Sequence, residues 1–168
     1  MGRKNLVIVF IIAVSFSSCC IPLIQKTWYN TSEGFERPKK NRFKLAKAPY
    51  ILKPTDGIST DGVYQHDIIV KSDNGRTIHI TSFFRFFSNG RYMEGALGDQ
   101  EPIHYYNNLE RGHVGYYTIV DNEVVLEQFS VGAQDCGKYA ITKLKINETG
   151  FGDFKKIKVE GLKGVPDW

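Results

Sequence analysis

Cysteine, tryptophan and methionine are scarce in this chain, with three Cys, two Trp and two Met among 168 residues. Three cysteines are too few for the disulfide framework that replaces a core in small secreted domains. The four histidines, His66, His79, His104 and His113, stand at no metal-ligand spacing, and no second cysteine lies near Cys136. No metal site and no cofactor are therefore expected. His79 falls on the more polar side of an alternating segment, where a solvated imidazole is the ordinary state. The sequence has no Gly-x-Ser-x-Gly elbow, no His-Glu-x-x-His pair and no phosphate-cradling glycine loop. Glu94, Asp99, Glu101 and Glu110 flank turns or lie in aperiodic sequence, as solvated carboxylates do. No catalytic residue is assigned, and the chain is not expected to be an enzyme. A dispersed hydrolase or isomerase site would need a buried acid in a cleft, such as Glu110 beside His113. Helix-length amphipathic runs are also missing, which argues against a parallel βαβ architecture.

What is present begins at the N-terminus. Arg3 and Lys4 precede an apolar run, Leu6 to Val14 (LVIVFIIAV), and Ser15-Phe16-Ser17-Ser18 lead straight into Cys19. This is the three-part layout of a secretory signal peptide, and its apolar core is shorter than the roughly 20 residues a membrane span needs. A Cys directly after small residues resembles a bacterial lipobox in its relaxed form, with Phe16 three positions before Cys19. The alternative register at Cys20 puts Ser17 where a bulky apolar residue is preferred. The resemblance implies removal of residues 1–18, diacylglyceryl and acyl (palmitate-type) chains on Cys19, and attachment to a membrane through them. Other readings are an ordinary secreted protein with incidental cysteines, or an uncleaved anchor helix. Residue 20 is Cys rather than Asp, and Cys20 to Lys26 (CIPLIQK) contains no acid. By resemblance, these features imply the periplasmic face of an outer membrane.

Charge is unevenly spread. Lys26, Arg37, Lys39, Lys40, Arg42, Lys44 and Lys47 oppose only Glu33 and Glu36, whereas the rest of the chain from Ala48 is slightly acidic. With Pro22, Pro38 and Pro49 and no sustained periodicity, residues 19–49 read as a lipidated Cys followed by a basic tether. Such a segment is either attracted to anionic head groups or simply solvated. Trp28 and Tyr29 are apolar enough to pack back on the body. No nucleic-acid partner is expected, because the body carries no basic surplus. A Cys20–Cys136 bridge is allowed in an oxidising compartment but would tie a flexible end to the body, and it is not expected. Asn30-Thr31-Ser32 and Asn147-Glu148-Thr149 match glycosylation acceptors that carry no meaning in a bacterial protein.

Residues 50–168 are rich in aromatic and β-branched side chains, which suit a pleated, half-buried surface. Strands are expected at Gly62–Val70, Thr77–Phe87, Arg91–Gly95, Gly112–Val120, Glu123–Val131, Gly137–Ile146 and Phe154–Val159, joined by Asn, Gly and Asp turns. Ala96 to Arg111 is looser, with a helical turn around Tyr105 to Leu109. The fold class is all-β, an antiparallel meander of about 7–9 strands closing as a barrel, or alternatively a β-sandwich. The runs FFRFFSNGRYMEG (Phe83–Gly95), GHVGYYTI (Gly112–Ile119), VVLE (Val124–Glu127) and GKY (Gly137–Tyr139) resemble uncharacterised Bacteroidota-type lipoproteins with a lipocalin-like β domain. The N-terminal Gly-x-Trp of true lipocalins is absent.

Phe83-Phe84-Arg85-Phe86-Phe87 is aromatic on both faces of its strand. Phe84 and Phe86 point inward. Phe83 and Phe87, with Tyr92 across the turn, either meet the protein's own Trp28 region or form an exposed patch that takes a partner. A barrel of this size can hold one small apolar ligand, and Phe84, Phe86, Tyr105, Tyr106, Tyr116 and Tyr117 are the residues expected to line its site. The function expected from the sequence is non-catalytic binding of a small apolar ligand or envelope component by a membrane-anchored lipoprotein. The rival is a partner-binding or inhibitor lipoprotein with a solid barrel core, which a filled interior would favour.

Overall fold

The computed structural model describes residues 26–71, 75–132, 136–166 and 168. The signal peptide expected over 1–18, the acylation expected at Cys19, and Cys20 lie outside the described residues.

Eight antiparallel strands form a closed barrel, so the sandwich alternative is excluded. In chain order they are β3 (Gly62–Lys71), β4 (Thr77–Phe86), β5 (Arg91–Ala96), β6 (His113–Val120), β7 (Glu123–Ser130), β8 (Lys138–Asn147), β9 (Gly150–Phe151) and β10 (Phe154–Lys158). Each pairs with the next, and β10 closes the ring on β3 with Ile157 opposite Val63. Ahead of them, β1 (Trp28–Asn30) and β2 (Glu36–Pro38) form a separate two-stranded hairpin. The single α-helix among the described residues, α1 (Pro102–Asn107), lies between β5 and β6.

Period-2 alternation sets the two faces of the wall. Tyr64, Phe84, Phe86, Tyr92, Tyr117, Val124, Leu126 and Phe151 point inward and form one buried cluster with Ile58. The Phe86 ring meets Tyr64, Tyr117 and Phe151 at centroid separations of 5.5, 4.9 and 5.4 Å, all near-perpendicular. Edge-to-face geometry of this kind places the positive ring edge on the negative face of its neighbour. Tyr50 and Leu52 pack on the same cluster and seal one end. This half of the barrel is a solid aromatic plug. Gly115 sits in the wall where a Cβ would come within 2.1 Å of the Glu127 carbonyl, so β6 approaches β7 only because the side chain is missing there.

The outward face of β4 is buried too. Phe83 and Phe87 are covered by Tyr105 and Tyr106 of α1 and by the C-terminal segment, with the Trp168 ring 6.1 Å from Phe87. Arg85 fastens this cover by donating to the Tyr106 and Lys163 carbonyls, each at 2.7 Å. The two-faced aromatic strand is therefore packed against the protein itself, but by α1 and the C-terminus rather than by Trp28. Tyr92 is not outward: it stands opposite Phe86 and shares its inward face.

Between Trp28 and Lys47, where the sequence suggests a tether, the chain folds as a strap across the outside of β6 and β7. Phe43 is buried against Tyr116 and Phe129. Arg37 is buried and donates to the Gly112 and Leu109 carbonyls at 2.6 and 3.1 Å. Two backbone N–H groups of the strap, Lys44 and Leu45, end on the carboxylate of buried Glu127. Lys and Arg side chains reach solvent on their stems while the backbone stays ordered, which is why a basic run need not be a linker.

Candidate functional site

The strap and the β7–β8 wall together make a cationic pocket of about 390 Å³ whose lining includes Lys26, Lys39, Lys40, Arg42, Phe129, Cys136 and Tyr139. The hairpin brings the cations together. Trp28 pairs with Pro38, and just beyond that pair the Lys39 N–H donates to the Thr27 carbonyl at 2.8 Å. Lys26 and Lys39–Lys40, which are far apart in sequence, thus leave the hairpin side by side. The wall supplies the floor: Tyr139 packs on Phe129 at 5.1 Å and edge-on to Phe43 at 4.8 Å. The Tyr139 hydroxyl donates to the Lys40 carbonyl at 3.1 Å, fixing strap to floor. Thr27 donates to the Cys136 carbonyl on the other side. Gly137 has φ of 93°, and a Cβ there would overlap the Phe129 ring at 2.3 Å. Only glycine leaves the Phe129 ring its place there.

Among the described residues, none of those lining the pocket is acidic. Lys26 lies 4.0 Å over the Trp28 ring, and no ion pair with a carboxylate engages Lys39, Lys40 or Arg42 among the described residues. Burial pushes the Tyr139 phenol up, with Arg42 opposing, so the floor stays neutral at physiological pH. Chemically the arrangement suits an anion on an apolar or ring-bearing body.

A second, smaller cleft of about 140 Å³ lies in the open end of the barrel, lined by Phe84, Tyr92, Glu94, Leu126, Gln128, Thr142 and Leu144. Gln128 donates to Glu94 at 2.9 Å. Burial pushes the Glu94 carboxyl above its usual range, with His113 across the strand pair pulling the other way. Above the cleft, β3 and β4 extend as a ribbon whose Ile68, Val70 and Ile78 are 38, 40 and 49% exposed.

The six residues expected to line a ligand site are not brought together. Phe84 forms part of the open-end floor, and Phe86 and Tyr117 lie in the plug, where the Tyr117 hydroxyl donates to the Phe87 carbonyl. Tyr116 faces outward, donating to the Trp168 carbonyl and accepting from Asn41. Tyr105 and Tyr106 belong to α1, outside the wall. Glu110 is not beside His113 in the mouth; it meets Ser32 of the strap hairpin. Among the described residues no group of three or more His, Cys, Asp and Glu is placed to hold a metal ion. No helix among them is long and apolar enough to cross a membrane.

Cys136 is disulfide-bonded, contrary to the expectation of an unbridged cysteine. The chain's other cysteines, Cys19 and Cys20, lie outside the described residues.

The chain matches no protein-family model, no curated protein and no solved structure.

Proposed function

We propose that this is a membrane-anchored, non-catalytic binding lipoprotein of the bacterial envelope, carried by acylated Cys19, in which the barrel is a rigid scaffold and the strap pocket is the binding site. The ligand is an anionic component of the envelope. The observation that carries this reading is the convergence of Lys26, Lys39, Lys40 and Arg42 on one pocket with an aromatic floor and, among the described residues, no lining acid. The packed interior supports the same reading, since Phe86, Tyr117 and their neighbours fill the lower barrel with rings in contact. Placement at the periplasmic face of the outer membrane follows from the lipobox resemblance and the non-acidic residues after Cys19.

A second reading, a small apolar ligand in the barrel mouth, is favoured by the open-end cleft. There an apolar floor meets one convergent polar pair, Glu94 and Gln128. Its volume admits only a small guest or the end of a chain.

Native mass spectrometry of the full chain extracted from the envelope that contains it tests both. The proposal expects a co-purifying anionic adduct that is lost in the Lys40→Glu/Arg42→Glu variant. An uncharged apolar adduct that survives this charge reversal supports the second reading and contradicts the first.

A further inference from the structure

The strap pocket lies close along the chain to the N-terminal cysteines. Lys26 lines the pocket, and Cys19 precedes it by seven residues, a length that reaches at most about 25 Å even when fully extended. Under the lipoprotein reading, four cations and an aromatic floor therefore lie within that reach of the lipid-bearing residue.

We infer that the strap pocket binds the phosphate-bearing head group of an anionic lipid in the membrane that holds the anchor. The inference rests on the lipoprotein reading above, because the anchor sets which surface the pocket faces. The phosphate sits among Lys39, Lys40 and Arg42, while Phe129 and Tyr139 take the glycerol and upper acyl carbons against their ring faces. Phosphate suits this donor set, since an arginine fork and two ammonium groups all donate and none accepts. A free phosphate would leave the aromatic floor unused. The bound head group fixes the barrel's orientation, so the open end and the exposed β3–β4 ribbon keep a constant attitude to the bilayer.

The test is residue-resolved lysine acylation of the full, lipid-bearing chain, reconstituted in phosphatidylcholine vesicles with or without phosphatidylglycerol and read by peptide mass spectrometry. With phosphatidylglycerol present, labelling of Lys39 and Lys40 is expected to slow roughly fivefold more than that of Lys44 and Lys47, the factor that about 1 kcal/mol for a net hydrogen bond corresponds to. Lys44 and Lys47, exposed on the same strap but outside the pocket, are the internal control. Equal protection of all four lysines means general surface attraction and overturns the head-group site. So does equal labelling in the two lipids, or full protection by inorganic phosphate in phosphatidylcholine alone. Arg42→Gln, an exposed change that spares the fold, is expected to cut the protection of Lys39 and Lys40. If the chain washes off phosphatidylcholine vesicles in carbonate, the anchor reading fails separately, while protection by phosphatidylglycerol still reports on the pocket.

Discussion

Glu127 holds Leu45. Its Oε2 accepts the Leu45 N–H at 2.8 Å, while Oε1 accepts the N–H of Lys44 at 2.9 Å. Glu127 is 1% exposed, in a strand whose neighbours Val125 and Leu126 are also buried. A carboxylate so placed costs free energy unless its oxygens are hydrogen-bonded. The strap supplies those bonds, and the wall in turn fixes where the strap runs.

Replacing Glu127 by Ala leaves two strap N–H groups without their acceptor and is expected to cost roughly 1.5–3 kcal/mol, the range for bonds to a charged group. Chemical denaturation measures the loss. Hydrogen exchange at Lys44 and Leu45 should accelerate far more than at Leu126 in the wall. Uniform acceleration throughout the barrel would show that the carboxylate supports the whole fold and not the strap.

Phe86→Ala is the corresponding test of the plug. Phe86 is 1% exposed and touches rings on three sides, so truncation should destabilise by about 3–5 kcal/mol. The variant should also open a cavity that takes up benzene or xenon. A cost below about 1 kcal/mol, as at a loosely packed site, would mean that the interior is not solid.

Glu94 predicts a pH dependence. Burial raises its folded carboxyl pKa above the unfolded value. A raised carboxyl contributes stability that is fully present below the unfolded pKa and is lost as pH rises through the folded one. Glu94→Gln keeps an acceptor for Gln128 and cannot ionise. The variant should therefore melt above the parent at neutral pH, and the two curves should converge in acid. A variant that melts lower at neutral pH would show that the charged form is stabilised in the mouth.

The cysteines separate two assignments that the count of three leaves open. If Cys19 is acylated, Cys20→Ser should free the Cys136 thiol to alkylation, leave membrane attachment intact and cost about 2–5 kcal/mol. Cys19→Ser should release the protein from membranes with the bridge intact. A free Cys136 thiol in the Cys19→Ser variant, or its persistence on membranes after a carbonate wash, would contradict the lipid anchor.

The barrel was readable because its strands alternate cleanly. Ile78, Ile80, Ser82, Phe84 and Phe86 share one face, and the turns carry their own chemistry: Asp121 and Asn122 adopt φ of 51 and 62°, the left-handed pair that a tight hairpin requires. The short β9 escaped notice because two residues show no period. The strap was missed for a different reason. Lysine and proline density reads as solvated chain, and the hairpin pairs through its backbone, which leaves little trace in residue type. Two signals did point to it. Phe43 is an isolated aromatic inside the basic run, and Glu127 is an acid in the buried middle of β7, which demands a partner from elsewhere. The aromatic residues expected to line a ligand site were mostly packing residues, since a ring on a strand looks the same in sequence whether it faces a core, a cover or a cavity.

An anion bound at the strap and a guest inside the barrel respond oppositely to two substitutions. Isothermal titration of the full chain with a short-chain phosphatidylglycerol, against the matching phosphatidylcholine, reads both. Arg42→Glu reverses a pocket charge, whereas Thr142→Trp fills the open end, whose cleft Thr142 lines. Binding at the strap gives phosphatidylglycerol-selective heat that disappears in Arg42→Glu and persists in Thr142→Trp. Heat that persists in Arg42→Glu and disappears in Thr142→Trp would place the ligand in the barrel and rule out the strap site.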